Sequence, residues 1–329
     1  MSNESLITDY GSPITHNRLR ITDYPKVAII ILNWNGWEDT IECLESLKKI
    51  TYPNYEVIVV DNGSEGNDAD ILEEKYGDYI KVIRNKENLG FTGGNNVAIY
   101  HVLQSKNPPD YVFLLNNDAK IEPDCLNVCV RVAQLTKAGI VGARIRNPKN
   151  GSFFTGSTSL FYEFFGKISS IFPHSPSTSS PFWEVARVHG AGMLIWRKLL
   201  EKVRKEHGYY LRPDYFCYWE ETEFCHYARE KAYKVVMARD AIMNHEDKTA
   251  LNKNSPLVFY YFTRNRIFLA NETLPFYLKI LFHLLNIPTR FLRAIQKTLK
   301  GQPKVSIAIL QGLFDGYKNV RGKWKYHKG

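Results

Sequence analysis

Cysteine is scarce in this chain. The five thiols, Cys43, Cys125, Cys129, Cys217 and Cys225, are odd in number and include no Cys-x-x-Cys pair. That speaks against a disulfide framework or a cysteine zinc site and for buried thiols in a reducing compartment. Long apolar runs are also missing. No stretch reaches the roughly 18 uninterrupted apolar residues that argue for a membrane-spanning helix. No basic segment followed by an apolar core opens the chain, so no signal peptide is expected and residues 1–25 read as a polar leader. There is no Gly-x-Gly-x-x-Gly fingerprint and no Walker loop. No nucleic-acid-binding motif accompanies the positive charge, so nucleic acid is not expected as a partner. Acids nearly vanish towards the C-terminus. From Thr273 to Gly329 there are 11 Lys/Arg against one acid, Asp315, a local +10 in a chain whose formal charge is +9. The basic excess therefore belongs to the tail, and the body is close to neutral.

The remaining composition, 44% hydrophobic and 23% charged over 329 residues, is that of a soluble globular chain large enough for one big α/β unit. The order of elements supports that class. Val27 to Leu32 reads as a strand buried on both faces, which favours a parallel sheet. Trp37 to Ile50 has helical spacing, Glu56 to Val60 is a second buried strand, and residues 68–76 form a short helix. A strand at Val82-Ile83 precedes a helix from Asn95 to Gln104, and Tyr111 to Leu115 is another buried strand. Strands alternating with helices predict a mostly parallel sheet. Further on, Val188 to Trp196 reads as a glycine-broken turn and strand, 220–231 as a helix, Tyr233 to Met237 as a strand and Pro256 to Ala270 as a helix. Residues 150–182, rich in Ser, Phe, Gly and Pro, read as a long excursion.

Ligands of such sheets bind beyond the carboxyl ends of the strands. Three polar loops fall there: 33–36, 61–64 and 116–118. The last follows an apolar run and ends in Asn116-Asn117-Asp118, a carboxylate beside two amides that can serve as oxygen ligands of a divalent cation. A plain strand-ending turn has the same composition. About 100 residues later, Glu220-Glu221-Thr222-Glu223 places three carboxylates in four positions where a helix starts. Crowded carboxylates hold their protons more tightly, which brings one towards the range of a general base. Acids matched to a helix dipole look alike in sequence.

Seven segments, in order, carry a family resemblance: Ile31 to Gly36, Val59 to Ser64, Asn88 to Asn96, Leu114 to Asp118, Gly190 to Ile195, Trp219 to Cys225, and Arg264-Asn265-Arg266. Over about residues 26–270 the chain resembles the family 2 glycosyltransferases and, within them, the rhamnosyltransferase-like branch. The resemblance implies a GT-A fold and an inverting transfer of a sugar, rhamnose among those implied, from a nucleotide diphosphate donor to a hydroxyl. The acceptor implied is a glycan or lipid-linked intermediate of cell-surface polysaccharide synthesis. It also implies Mg²⁺ or Mn²⁺ held by Asp118, with Asn116 and His245 as further ligands, and a base at Glu221 or Glu220. Asn33, Trp34, Asp61, Asn62 and Ser64 would wall the nucleotide pocket, with Asp61 accepting from N3–H of uracil or thymine. Asn88, Gly90, Gly94, Asn95 and Asn117 would line the donor site, and Arg264 and Arg266 would clamp the diphosphate or form a solvated helix face. The chain departs from the family pattern at Asn116, often an acid, and at Glu221, usually an aspartate.

Residues 26–271 are thus expected to form the transferase domain and 272–329 a basic amphipathic helical tail. Its apolar stripe is Ile280, Leu284, Ile287, Phe291, Ile295 and Leu299, with Arg290, Arg293, Lys297 and Lys300 among them. Such a helix suits an anionic membrane surface, which would put the protein on the cytoplasmic face of the membrane. Packing on its own core or in a homodimer is the alternative. Two other functions compete. A nucleotidyltransferase needs a Gly- and Arg/Lys-rich loop after its first strand, which Asn33-Trp34-Asn35-Gly36 does not supply. An inactive membrane scaffold would require a broken site.

Overall fold

The computed structural model describes residues 24–154, 156, 164, 180–245 and 255–325. The polar leader up to residue 23, most of the 150–182 segment and residues 326–329 lie outside them.

The first half follows the hydrophobic pattern. β1 (Val27–Asn33), α1 (Trp37–Leu47), β2 (Tyr55–Asp61), α2 (Asp68–Tyr76), β3 (Ile80–Arg84), α3 (Gly90–Leu103) and β4 (Tyr111–Asn116) come in order. A short β5 (Ala119–Ile121) precedes α4 (Cys125–Thr136) and β6 (Ile140–Arg146). β1 is buried on both faces because alternate side chains serve two cores. Val27, Ile29 and Ile31 pack with Leu44 and Leu47 of α1 and Leu126 and Val130 of α4. Ala28 and Ile30 pack with Ala98 and Ile99 of α3 on the other side. A fully buried side chain of this kind contributes about 1.5–3 kcal/mol, which accounts for a strand with no polar residue before Asn33.

The sheet runs β3-β2-β1-β4-β9-β6-β10-β5, where β9 is Gly192–Trp196 and β10 is Val235–His245. Short strands β7 (Phe153–Phe154) and β8 (Phe182–Glu184) pair with β6 and β10. The expected parallel pairing runs unbroken through β3, β2, β1 and β4 and recurs once beyond them, between β6 and β10. β9 is antiparallel to both β4 and β6, while β10 returns parallel to β6. The reason is where β9 begins. Residues 189–191 approach the carboxyl end of β4, where Asn116 N donates to Ala191 O at 3.1 Å, so the strand that follows must run back. Because β6 and β10 run the same way as β4, the end of β10 reaches the same edge. An irregularity between Ala238 and Ile242 shifts the β10 register and lets Met243–His245 pair with β5, setting His245 opposite Ala119.

α5 (Arg197–His207) and α6 (Glu220–Glu230) cover the second core through Leu199, Leu200, Phe224 and Cys225. The chain closes with α7 (Pro256–Thr273), α8 (Phe276–Leu299) and α9 (Pro303–Tyr317). The boundary expected at 271/272 falls inside the last turn of α7. α9 lies close against that helix: a Cβ on Gly312 would meet Tyr260 O at 2.6 Å, and Tyr260 Oη donates to Asp315 at 2.6 Å. The chain then folds back, with Trp324 stacked on Tyr260 at 4.4 Å between centroids. These C-terminal helices are therefore tied to the body through the aromatic surface of α7.

Candidate functional site

The loops after β1 and β2 form one polar knot. Asn33 Nδ2 donates to Asp61 (3.1 Å), Ser64 (3.3 Å) and Asp68 (3.0 Å), and its Oδ1 accepts from Thr40 (2.8 Å). Gly36 N also donates to Asp68, at 2.9 Å. Asn62 is used up in the same way: its amide donates to Asn88 Oδ1 and Gly90 O, and its Oδ1 accepts from Asn85 and Leu89 N. Both asparagines are buried. They fix the loops, so the ligand-facing role expected of them does not fit. Trp34 is 48% exposed at the rim, open for a planar ring to stack on. Asp61, Ser64 and Asn117 are the other expected donor-site residues that lie along this edge. Asn117 bridges to Gly36 O and Thr40.

Next to this knot a cavity of about 470 Å³ opens. Its lining includes Asn116, Asp118 and His245, then Glu220, Glu221 and Thr222 from α6, and also Arg187, His189 and Trp219. His245 Nε2 lies 2.9 Å from Asp118 Oδ1 and 3.4 Å from Asn116 Nδ2. All three residues expected as metal ligands are thus brought together from β4, its following turn and the end of β10. A carboxylate, an imidazole and an amide fit a divalent cation that keeps further positions for phosphate and water. Among the described residues no three His, Cys, Asp or Glu side chains cluster as a metal site, so the protein alone supplies a partial ligand set. His189 accepts a hydrogen bond from Ala191 N at Nδ1 (3.1 Å), which leaves the neutral ring's proton on Nε2. Its ring lies 5.9 Å from that of His245.

A second wall is the first turn of α6, entered through an unusual backbone. Phe216, Tyr218 and Trp219 have φ of 66°, 67° and 74°. Left-handed conformations cost non-glycine residues about 1–3 kcal/mol each and persist only where the surroundings impose them. Glu220 is 6% exposed, and its Oε2 has no hydrogen-bond partner. Burial, reinforced by Glu221, raises its pKa well above the ordinary carboxyl range. Glu221 is the more accessible of the two, and Arg187 Nη1 stands 3.5 Å from its Oε1. Glu223 lies outside the cavity lining, and burial lifts its pKa to about 7 against the opposing pull of Arg212. Trp219 Nε1 and Thr222 Oγ1 also lack partners, so this wall presents unsatisfied polar atoms around the cavity.

Several expected donor-site residues sit elsewhere. Gly94 lets α3 approach β1, since a Cβ there would meet Leu32 at 2.3 Å. Asn95 is buried and bonds Phe91 O, while Asn88 Oδ1 accepts from Gly90 N at 2.8 Å. Gly90 has φ +75°, and a Cβ there would meet Phe216 O at 2.4 Å. These four build the loop and the helix. Arg264 is fully buried, bonded to Tyr215 O and Gly322 O. Arg266 joins α7 to Asn286 of α8 and to Phe164 O. Neither lines the cavity, so neither is a diphosphate clamp in this arrangement. Arg187 and His189 are site residues that sequence reasoning misses. His189 stands just before the Gly190-Ala191-Gly192 turn, a signal that the sequence offers, whereas nothing in the sequence marks Arg187.

The Glycosyl transferase family 2 profile matches residues 28–204, more than half of the chain. The low-salt glycan biosynthesis hexosyltransferase Agl10 of Haloferax volcanii is 28% identical over 252 residues, 75% of this chain and 76% of that protein. Among solved structures, the mannosyltransferase PcManGT from Pyrobaculum calidifontis, in complex with GDP-Man and Mn²⁺, superposes with a TM-score of 0.59 at 15% identity over 91% of this chain and 89% of that one. Residues 1–349 of TarS from S. aureus, in complex with UDP-GlcNAc, give 0.51 at 19% identity, covering 88% and 81%. The structural likenesses establish the GT-A fold. With the profile match spanning the strand-end loops and the Asp118 turn, the chain belongs to glycosyl transferase family 2.

Proposed function

We propose that the protein is an inverting, hexosyltransferase-class enzyme that moves a sugar from a nucleotide diphosphate donor to a hydroxyl of a glycan or lipid-linked acceptor. The observation that carries this reading is that the Asp118–His245 pair and the Glu220–Glu221 turn share one cavity. Asp118, His245 and Asn116 would hold Mg²⁺ or Mn²⁺, which, when bound, supplies Lewis-acid neutralisation of the leaving diphosphate. Trp34 and Asp61 take the nucleobase, read as uracil or thymine, with Ser64 and Asn117 beside them. Glu221 accepts the acceptor's proton. Glu220 is buried, while Glu221 is the more exposed of the two and lines the cavity, so accessibility favours Glu221 as the base. A single base facing the donor side suits one in-line displacement, hence inversion.

The test is incubation with uridine-, thymidine- and guanosine-diphosphate sugars, including hexoses and rhamnose, with and without Mn²⁺. Release of free nucleoside diphosphate that depends on an added acceptor is the expected result. No turnover with any donor, or a product whose anomeric NMR couplings show retention, would refute it. The resemblance to Agl10 supports a role in glycan biosynthesis and keeps rhamnose, implied by the sequence resemblance, as one donor among several.

We further infer that α8 rests on an anionic lipid surface on the cytoplasmic side, near a lipid-linked acceptor. No described helix is long and apolar enough to cross a membrane. Yet α8 exposes Leu284 (67%) and Leu292 (66%) together with Phe276, Ile280, Phe291, Ile295 and Leu299. From Leu274 to Phe314 there is no acid, while Lys279, Arg293, Lys297, Lys300 and Lys304 lie in the same stretch. Basic residues near an anionic leaflet add about 1 kcal/mol each. The full-length protein should sediment with phosphatidylserine vesicles at low salt and be released by high salt. Leu284→Glu with Leu292→Glu should abolish sedimentation. A concentration-dependent dimer that ignores vesicles would assign the face to a second copy instead.

A further inference from the structure

The pair Arg264-Asn265 lies on α7, away from the cavity, and both side chains are fully buried. Their hydrogen bonds converge on one target. Asn265 Nδ2 donates to the carbonyls of Tyr215 (2.9 Å), Cys217 (2.8 Å) and Tyr218 (2.9 Å). Arg264 Nη2 donates to Tyr215 O at 3.1 Å, and its Nε donates to Asn265 Oδ1 at 2.9 Å, which fixes the amide's orientation. Its remaining nitrogen, Nη1, donates to Gly322 O at 2.6 Å, so the returning chain holds the arginine in turn. From the other side Thr92 N and Oγ1 donate to Phe216 O at 3.2 and 3.3 Å. The segment so gripped is the one with three left-handed non-glycine residues, and it leads directly into Glu220 and Glu221. A backbone in this state relaxes unless it is over-determined. Burying a guanidinium among carbonyl oxygens is costly as a source of stability alone.

We propose that Arg264 and Asn265 are positioning residues: they lock the 215–219 backbone in its left-handed path and thereby aim the first turn of α6, with Glu221, into the cavity. The inference rests on Glu221 being the base, but its structural half stands apart from activity. Asn265→Asp keeps the shape and removes N–H donors. Hydrogen exchange of the amides from Cys217 to Thr222 is followed beside donor affinity by calorimetry and kcat for transfer. Exchange in that segment should speed up about tenfold or more, as for a segment released to open locally. Donor affinity should be unchanged, and kcat should fall on the order of 10²-fold, the effect of a roughly 1 Å misplacement of a reacting group. The acidic limb of the pH profile should also move, because the base sits in a new environment. Unchanged exchange overturns the proposal, as does loss of kcat and donor affinity in equal measure. If the wild-type protein transfers no sugar, the functional reading fails while the exchange result still decides on the lock. Should Asn265→Asp not fold, Arg264→Lys, which loses the Nε bond to Asn265, is tested in the same way. Failure of both to fold would show a pair that maintains the fold only, against the proposal.

Discussion

The two walls of the cavity are built on opposite principles. The Asp118 wall is a by-product of sheet register: β4 and β10 run the same way, their ends meet, and ordinary backbone brings carboxylate and imidazole to 2.9 Å. The Glu220–Glu221 wall depends on a high-energy backbone restrained by side chains about 50 residues later in the chain. The first wall is hard to perturb except by removing its own residues. The second can be lost from a distance.

The comparison breaks most sharply at Asp118. Asp118→Ala should reduce transfer to background while the melting temperature and far-UV spectrum stay near wild type, since the residue is in a turn and not in either core. Substantial turnover at saturating Mn²⁺ would remove it from the site. Next is Glu221→Gln, with an expected loss of about 10²–10⁴ in kcat, the usual share of a general base, and unaltered donor affinity. A smaller effect concerns stability. Glu223 has its folded pKa raised from 4.5 to about 7 by burial, with Arg212 opposing at 3.9 Å. The folded state therefore holds a proton that the unfolded state has already released. Its contribution favours the fold below pH 4.5, declines between 4.5 and about 7, and stays unfavourable above that. Glu223→Gln should flatten this decline, by roughly 3 kcal/mol at most, and denaturant titrations at pH 4.5 and 8 read the difference. A variant equally stable to wild type at both would mean that Glu223 titrates as an exposed acid. Least affected should be Glu220→Gln. Burial pushes this carboxyl up and an amide of the same shape fits the same buried site, so kcat should drop by less than about tenfold. If it is the crippled variant of the two glutamates, their roles must be exchanged.

How much is legible in the sequence follows the same division. The run Val27 to Leu32, the strand-end amides and Asp118 are local patterns. Asn116, Asp118, Glu220, Glu221 and His245, which share the cavity, all stand out as site residues before any fold is known. Period and composition fail where packing gives residues another use. Asn88, Gly90, Gly94 and Asn95 read as donor-site lining, yet the glycines allow α3 to start at Gly90, under Phe216. Arg264 reads as an anion clamp because a sequence shows its charge and not the carbonyl oxygens that absorb it. The antiparallel insertion of β9 is equally invisible, since direction depends on which edge the preceding segment reaches. The last turn of α7 and the fold-back of Trp324 cannot be told from a free tail, because the surface they cover lies on another helix.

That fold-back has a temporal consequence. Every residue proposed to meet substrate lies before position 246, yet Gly322 is the oxygen that secures Arg264. A ribosome that has completed the whole catalytic set has not yet supplied this last partner of the lock. Transfer by chains ending before Gly322, compared with the full chain, should therefore show how much of the lock this last partner supplies. If transfer is lost without it, the order of translation itself keeps an unfinished enzyme from consuming sugar nucleotide.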